Sequence, residues 1–405
     1  MIPRSEMKTK KVPYVVGQGY KRFPVTSQAF VTVSMKDTGK LGYMFWLDKM
    51  HRNMGRKMME GVEGYLQEDN ALDMGANAFN LLIGVYGFPN FQMLKWSTMV
   101  VPDVLSAHKV VKPSEELTRL VKRAAGLYGA DLVGIAALDE RWVYSKDMVK
   151  PIVITDDGIP EETEEEFRIP KSMDRAIVMA VAMDPKGIGT SPAIESSTAT
   201  SIGYSRMGIT AVSLAEYIRA MGYKAIPCMN DTAMSIPLAV DAGLGELGRL
   251  GILITPEFGP SVRLFKVLTD MPLVPDKPVD FGVEIFCKNC LLCAEHCPSD
   301  SISFGEPLDS VSYETGNPGV RKWYINGEKC LNFWQDNGGS CATCIAVCPF
   351  TWGFESLQCF ECTRCETRRG CELQVNTHQR EKHGYLHIES YGERPVVLRP
   401  RREGL

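Results

Sequence analysis

Eight of the chain's 13 cysteines fall between residues 287 and 348, in two runs that constrain everything around them. The first reads Cys287-Lys-Asn-Cys290-Leu-Leu-Cys293-Ala-Glu-His-Cys297-Pro298. The second reads Cys330, then Cys341-Ala-Thr-Cys344-Ile-Ala-Val-Cys348-Pro349. Three thiolates separated by two residues each can wrap one corner of an iron–sulfur cubane, and the fourth, followed by proline, is carried to a neighbouring cluster. The spacing is that of bacterial ferredoxins. It assigns Cys287, Cys290, Cys293 and Cys348 to one 4Fe–4S cluster. Cys297, Cys330, Cys341 and Cys344 then hold a second, with Cys330 reaching in from farther upstream than the standard motif has it. Zinc or disulfides are the plainer alternative, but zinc sites favour paired Cys-x-x-Cys elements and need no run of three closed by Cys-Pro. Such a chain moves electrons.

The length of 405 residues suits one large domain with smaller attachments, and 44% apolar residues are enough for a sizeable core. A net charge of −4 gives no general reason to expect nucleic acid or an anionic membrane as partner. Disulfide scaffolds are short, so clustered cysteines in a chain this long point to metal. No apolar stretch approaches the roughly 18 to 20 residues of a membrane span. Residues 1–12 are polar and basic without an apolar core segment, so no secretory signal is read. A mature chain whose signal had been removed would look the same.

In chain order, residues 1–112 form an N-terminal region rich in methionine and aromatics. Met50, Met54 and Met58 recur at helical spacing, which suits a helix packed on a core or the wall of a pocket. A layered α and β unit follows over 113–280. Ser114 caps a helix carrying Glu115 and Glu116 in its first turn, and Gly129 stops it. Residues 130–136 read as a strand, 155–168 as an acidic solvated loop, and 176–183 as a strand buried on both faces. After a Ser/Thr-rich loop a helix is expected from about 205 to 221, then a strand over 223–227. The ferredoxin-like segment covers 281–350, and a polar tail fills 351–405. Gly243-Leu-Gly245-Glu-Leu-Gly248 matches the dinucleotide fingerprint. It follows a helical stretch rather than a strand, which argues against NAD. Its glycines are expected to let backbone approach a large flat group.

With these pieces in place the chain resembles the cobalamin-dependent reductive dehalogenases of anaerobic bacteria, over roughly residues 114–350. The stretches that carry the resemblance include Gly129-Ala-Asp-Leu-Val-Gly-Ile-Ala136, Ile202-Gly-Tyr204-Ser-Arg-Met207 and Pro227-Cys-Met-Asn230-Asp-Thr232. Ala242-Gly-Leu-Gly-Glu-Leu-Gly248, Leu253-Ile-Thr-Pro-Glu-Phe-Gly259 and Asn317-Pro-Gly-Val-Arg-Lys-Trp323 extend it in the same order. The resemblance implies an α+β fold: a nitroreductase-like layered domain that holds a corrinoid, joined to a ferredoxin-like insert with two 4Fe–4S clusters. No Asp-x-His-x-x-Gly sequence is present, which agrees with a cobalamin bound base-off. Three polar residues of the family's site fall on Tyr204, Asn230 and Arg263. Tyr204 would donate the proton, Arg263 would stabilise the tyrosinate, and Asn230 would hydrogen-bond the phenol or the substrate halogen. Thr200 would face the substrate, with Trp46, Trp96 and Trp323 as wall residues. Electrons would pass through the two clusters to give cob(I)alamin, and halogen on a small apolar organohalide would be replaced by hydrogen. The implied partners are an electron donor protein or quinol-linked chain and a small membrane anchor protein, without nucleic acid. The family usually works on the extracytoplasmic face of the membrane after export on a twin-arginine signal. No such signal is present, so the sequence is a mature form or the protein stays in the cytoplasm.

A second departure is Cys359-Phe-Glu-Cys362-Thr-Arg-Cys365-Glu-Thr-Arg-Arg-Gly-Cys371. The first three repeat the cubane spacing, but Cys371 comes six residues later with no proline after it. A third iron–sulfur cluster, a four-cysteine zinc site and unmetallated thiols all remain open, with His378, His383 and His387 nearby. Two rival functions are also carried. An epoxyqueuosine reductase-like tRNA-modifying enzyme would share the corrinoid plan but use an aspartate as acid and present a basic surface. A ferredoxin-type electron carrier would bind no corrinoid.

Overall fold

A computed structural model describes residues 7–9, 14–35, 40–67, 69, 70, 94, 96–98, 101 and 108–352. Its first elements are β1 (Lys8–Thr9), α1 (Ala29–Met35), α2 (Lys40–Met59) and α3 (Ser114–Leu127). Strands β2 (Leu132–Ala137), β3 (Ile152–Thr155), β4 (Glu161–Glu162), β5 (Phe167–Pro170) and β6 (Arg175–Ala182) come next. Helices α4 (Pro185–Gly189) and α5 (Ile194–Ala220) precede β7 (Ala225–Cys228) and α6 (Ser235–Asp241). Then come β8 (Glu246–Leu247), β9 (Leu253–Ile254), β10 (Val262–Thr269) and β11 (Val279–Asp280). Short helices α7 (Val283–Asn289), α8 (Leu292–Glu295), α9 (Gly327–Asn337) and α10 (Thr343–Ala346) carry the cysteine runs.

The main sheet has the order β2-β6-β10-β7 and is antiparallel throughout. Side chains alternate across it as strand geometry requires. Ile177, Met179 and Val181 pack with Phe265 and Val267 against the apolar stripes of α3 and α5. Ala176 and Val178 face the other way, with Leu268 and Ile226, toward Leu238 and Ala239 of α6 and the ring of Trp142. Burial on both faces explains why 176–183 reads as an unbroken apolar run. Each such aliphatic side chain contributes about 1.5–3 kcal/mol. Helix α3 lays Leu117, Val121, Ala124 and Ala125 on the sheet, and its N-cap falls on Pro113, one residue before the position expected.

Two local expectations are corrected, and a third stretch gains detail. Helix α5 begins at Ile194, not near 205, so the Ser/Thr stretch is helix rather than loop. Those residues are poor helix formers, but packing overrides propensity here. Ser196 Oγ donates to the Ala193 carbonyl at 2.8 Å, and the hydroxyls of Ser197 and Ser340 meet at 2.6 Å, tying the helix start to the cysteine region. The acidic stretch 155–168 is not a plain solvated loop. It contains β4 and enters the small sheet β3-β5-β4, where Lys150 pairs with Glu162 at 2.9 Å. Gly243 and Gly245 of the 243–248 stretch lie against this chain's own backbone. A Cβ on Gly243 would stand 2.3 Å from the Lys277 carbonyl oxygen, and one on Gly245 2.1 Å from that of Ile254.

The described N-terminal segments are woven into the rest. Strand β1 pairs with β11, Val16 bridges Val320, and α2 lies along α9. Asn53 Nδ2 donates to the Gln335 carbonyl at 3.0 Å, and Met50, Met54 and Met58 are half-buried on α2. Among the described residues no helix is long and apolar enough to cross a membrane.

Candidate active site and cluster site

The eight thiols of the two runs gather into two sets. Burial pushes the Cys348 thiol far up, and the sulfurs of Cys287, Cys290 and Cys293 push it further. Cys344 is raised by burial and then by Cys341, Cys330, Cys293 and Cys297. The Cys287 thiol is pushed up to about 11 by burial. Burial, then neighbouring sulfurs, takes Cys293 and Cys330 to about 12. Thiols held like this resist ionisation on their own. A bound cation reverses the balance, because it takes the thiolate as ligand. The donor set therefore fits iron–sulfur chemistry. Among the described residues no three ligating groups converge on a single ion's coordination sphere. The Ser301 amide donates to Cys297 Sγ at 3.3 Å, the kind of contact that sets a cluster's potential.

A second constellation stands on α5 and β10. Thr200 and Tyr204 lie one turn apart on the helix, on a shared face. Arg263, paired with Val181 in the sheet, reaches both: Nη1 donates to the Tyr204 hydroxyl and Nη2 to Thr200 Oγ1, each at 3.5 Å. Its guanidinium carbon sits 4.9 Å from the centre of the Tyr204 ring, within cation–π range. Gly203 makes the approach possible, since a Cβ there would lie 2.8 Å from Arg263 Cγ. Asn230 completes the group by donating from Nδ2 to the Tyr204 hydroxyl at 3.1 Å. The phenol oxygen thus receives two N–H donors, which leaves its own proton to face outward. Arg263 Nε is buried with no hydrogen-bond partner among the described residues. A permanent charge held that way suits an electron-rich neighbour.

Asn230 also lines a cavity of about 610 Å³, within the size range of ligand sites. One wall is Trp142, Tyr144, Met234 and Ser235, and the opposite wall includes Glu284 and Trp323. Glu284 is one turn before Cys287 on α7. Arg249 links the same wall to the cysteines, donating to the Cys287 carbonyl at 2.9 Å while lying 4.8 Å from the Trp323 ring centre. The Cys287 set is therefore the nearer one to the cavity. Of the polar group only Asn230 lines the cavity; Tyr204, Arg263 and Thr200 are not among its lining residues, and the Tyr204 hydroxyl is linked to it through the Asn230 amide.

The remaining expected site residues divide. Trp323 lines the cavity, with its Nε1 spent on the Gly305 carbonyl at 2.9 Å. Trp46 is not a cavity wall; it is buried edge-on to Phe30 where α1 and α2 pack. Trp96 is not one either. Its ring is 5.0 Å from that of Phe167, and its carbonyl accepts from Arg219. Arg219 lies fifteen residues beyond Tyr204 on α5, roughly 22 Å along a helix rising 1.5 Å per residue. Cys359, Cys362, Cys365 and Cys371 lie outside the described residues. Sequence reasoning passed over Gly203, which it placed in a loop, and Lys266, the second charge besides Arg263 in an otherwise apolar strand.

Comparison with known proteins bears on these sites. The profile of the reductive dehalogenase subunit family matches residues 98–273, and that of the 4Fe–4S dicluster domain matches 286–352. A tetrachloroethene reductive dehalogenase of Sulfurospirillum multivorans is 44% identical over 254 residues, covering 59% of this chain and 51% of that protein. One from Dehalobacter restrictus is 39% identical over 279 residues, covering 60% and 50%. The chain spans about half the length of the curated relatives it matches. A solved structure described as a reductive dehalogenase suggesting a mechanism for B12-dependent dehalogenation superposes with a TM-score of 0.70 at 22% identity. It covers 96% of this chain and 50% of that one, and shows the shared fold. By the two profiles and these relatives, residues 98–273 are similar to the reductive dehalogenase subunit family and residues 286–352 to the 4Fe–4S dicluster domain.

Proposed function

We propose that this chain carries out reductive dehalogenation, in which an organohalide, two electrons and one proton give the hydrogen-substituted product and halide. The observation that carries the reading is the Tyr204 phenol, held between Asn230 and Arg263, with Asn230 lining a cavity that is also lined by Glu284 of the Cys287 helix. We read the layers of α3 and α5, the main sheet and α6 as a nitroreductase-like domain, with a base-off corrinoid in the cavity. Bound there, the corrinoid supplies the strong reductant that breaks the carbon–halogen bond. Tyr204 delivers the proton that replaces halogen. Arg263, whose guanidinium does not lose its charge, holds the phenolate left behind. Asn230 aligns the phenol and Thr200 shares the same guanidinium. The Cys297 set, farther from the cavity, takes electrons from a donor protein or quinol-linked chain. A small apolar chloroalkene is the substrate class suggested by the relatives.

The epoxyqueuosine reading wants an aspartate acid, and the neighbouring candidate is turned away. Asp231 is buried, with its carboxylate accepting from the Met229 amide at 2.9 Å and the Thr232 hydroxyl at 2.6 Å. A plain electron carrier leaves the cavity beside the phenol without a use. The test is anaerobic protein reconstituted with corrinoid, analysed for metals and assayed for chloride release from tetrachloroethene with a reduced viologen as donor. About one cobalt and about eight irons, the content of two four-iron clusters, with chloride release are expected; about twelve irons would add a cluster in the tail. Iron without cobalt would hand the chain to the electron carriers. Cobalt without chloride release would end the dehalogenase reading.

A further inference from the structure

Beneath Asn230 lies a group of buried charges with no part in the chemistry described so far. Lys266 is on β10, three residues after Arg263, so its side chain leaves the opposite face of the strand. It is 0% exposed. Lysine is almost never buried that completely, and burial lowers the pKa of this one while raising that of Asp231. The ammonium donates to the Met229 carbonyl at 2.8 Å and to Ser235 Oγ, in the first turn of α6, at 3.1 Å. Asp231 takes the other side of the same residue, accepting from the Met229 amide. Thr232, next in line, has φ at +63°. For a β-branched residue that conformation is strained and persists only where its surroundings over-determine it. The Thr232 carbonyl is fixed by the Tyr144 amide at 3.0 Å. Asn230, itself exposed, thus sits in a turn pinned at 229, 231 and 232.

We propose that Lys266, with Asp231, is a positioning residue for the proton donor. Together they hold the Met229–Thr232 turn so that the Asn230 amide meets the Tyr204 hydroxyl. The inference rests on the function proposed above. A strained turn over two desolvated charges is an expensive way to end a strand, and the only side chain it presents to the cavity and the phenol together is Asn230. Lys266 has no hydrogen-bonded route to Tyr204 among the described contacts, so it acts through the backbone and not as a proton relay.

The reconstituted holoenzyme is compared as wild type, Lys266→Met, Asn230→Ala and the double variant, with kcat and KM measured separately on tetrachloroethene. Lys266→Met is expected to lower kcat about tenfold with KM within about twofold, because misplacing an aligned group penalises the chemical step. In the Asn230→Ala background the same change is expected to cost less than about twofold, since the group being positioned is gone. Losses that multiply, or a kcat unmoved by Lys266→Met, would overturn the proposal. If Lys266→Met fails to assemble, Ser235→Ala removes one of its two acceptors and should give a smaller kcat loss that also vanishes with Asn230→Ala; no loss overturns it equally. A crystal structure of the variant that assembles reads the same point without activity. The 3.1 Å contact between Asn230 and Tyr204 should open, and an unchanged contact refutes the positioning role. Absence of dehalogenation in the wild type would instead remove the proposed function, leaving the contact measurement to judge Lys266 alone.

Discussion

Arg263 and Tyr204 stand on an eight-residue strand and a 27-residue helix, whereas the eight cysteines ride on helices of four, seven and 11 residues and the turns between them. The first pair is fixed by a sheet packed on both faces. The second group has helices too short to persist alone, and its buried sulfurs push one another toward the protonated form. The contrast teaches where each half gets its order. The Tyr204 corner is assembled by side-chain packing. The cysteine half is completed by the metal it binds, so its binding free energy is also folding free energy.

The largest expected effect separates the halves outright. Stripping iron anaerobically should collapse amide protection across 283–348 while β6 and β10 keep theirs, as read by hydrogen exchange. A structural metal site is worth about 10–16 kcal/mol in the best-studied small domains, so protection in the cysteine half should fall by more than about a hundredfold. Equal loss in the sheet would show that the halves fold as one unit and would break the comparison.

Next in size is Tyr204→Phe. The substitution leaves the ring and its packing but removes the proton, and loss of a positioned acid costs about 10²–10⁴ in rate. Iron content and thermal stability should stay close to wild type. Near-normal turnover would take the proton donor out of this corner altogether.

How much of this was legible beforehand follows from how local each signal is. The cysteine grouping was readable because ligand spacing is written along the chain, as was the strand read over 176–183, because burial on both faces leaves an unbroken apolar run. The start of α5 was not. Ser196, Ser197 and Thr198 favour loops by themselves, and what makes them helical is contact with residues near 340, far along the chain. Trp96 misled for the same reason: an aromatic beside glycines and prolines suits a pocket wall as well as a core, and only the fold places it on Phe167. Resemblance supplied Tyr204, Asn230 and Arg263, but the reasons for Gly203 and Lys266 required the packing of β10 on its neighbours.

Gly203→Ala tests the packed corner without touching a reacting group. The added methyl would meet Arg263 Cγ at 2.8 Å, closer than carbon atoms tolerate. Both backbones belong to regular elements, so the arginine side chain must move. Overpacking of this kind costs about 1–3 kcal/mol, visible as a lower Tm, and displacing the guanidinium should lower kcat by at least about tenfold. Normal kcat with a lowered Tm would mean that Arg263 supports the fold and not the phenol.

The smallest effect turns the comparison into a difference of sign with pH. Asp241, at the end of α6, accepts from the Tyr14 hydroxyl at 2.8 Å and from Trp142 Nε1 at 3.1 Å. Burial nevertheless pushes its carboxyl up to about 6. In the unfolded chain it titrates near 3.9. Between those values the folded protein holds a proton that the unfolded chain has released, so this group favours folding most below about pH 4, and that advantage is lost as pH rises through 6. The full change is at most roughly 3 kcal/mol, reduced by the water that reaches the group. Asp241→Asn should remove it, so the stability of wild type minus variant, from urea titrations followed by tryptophan fluorescence, should fall between pH 4.5 and 7. A flat difference would put Asp241 back in the ordinary carboxylate range. The cysteine half should run the other way, because protons compete with iron for its thiolates as pH falls. Acid therefore relieves one buried charge of the packed half while loosening the metal half, and a protein whose halves weakened together on acidification would not be built on two plans.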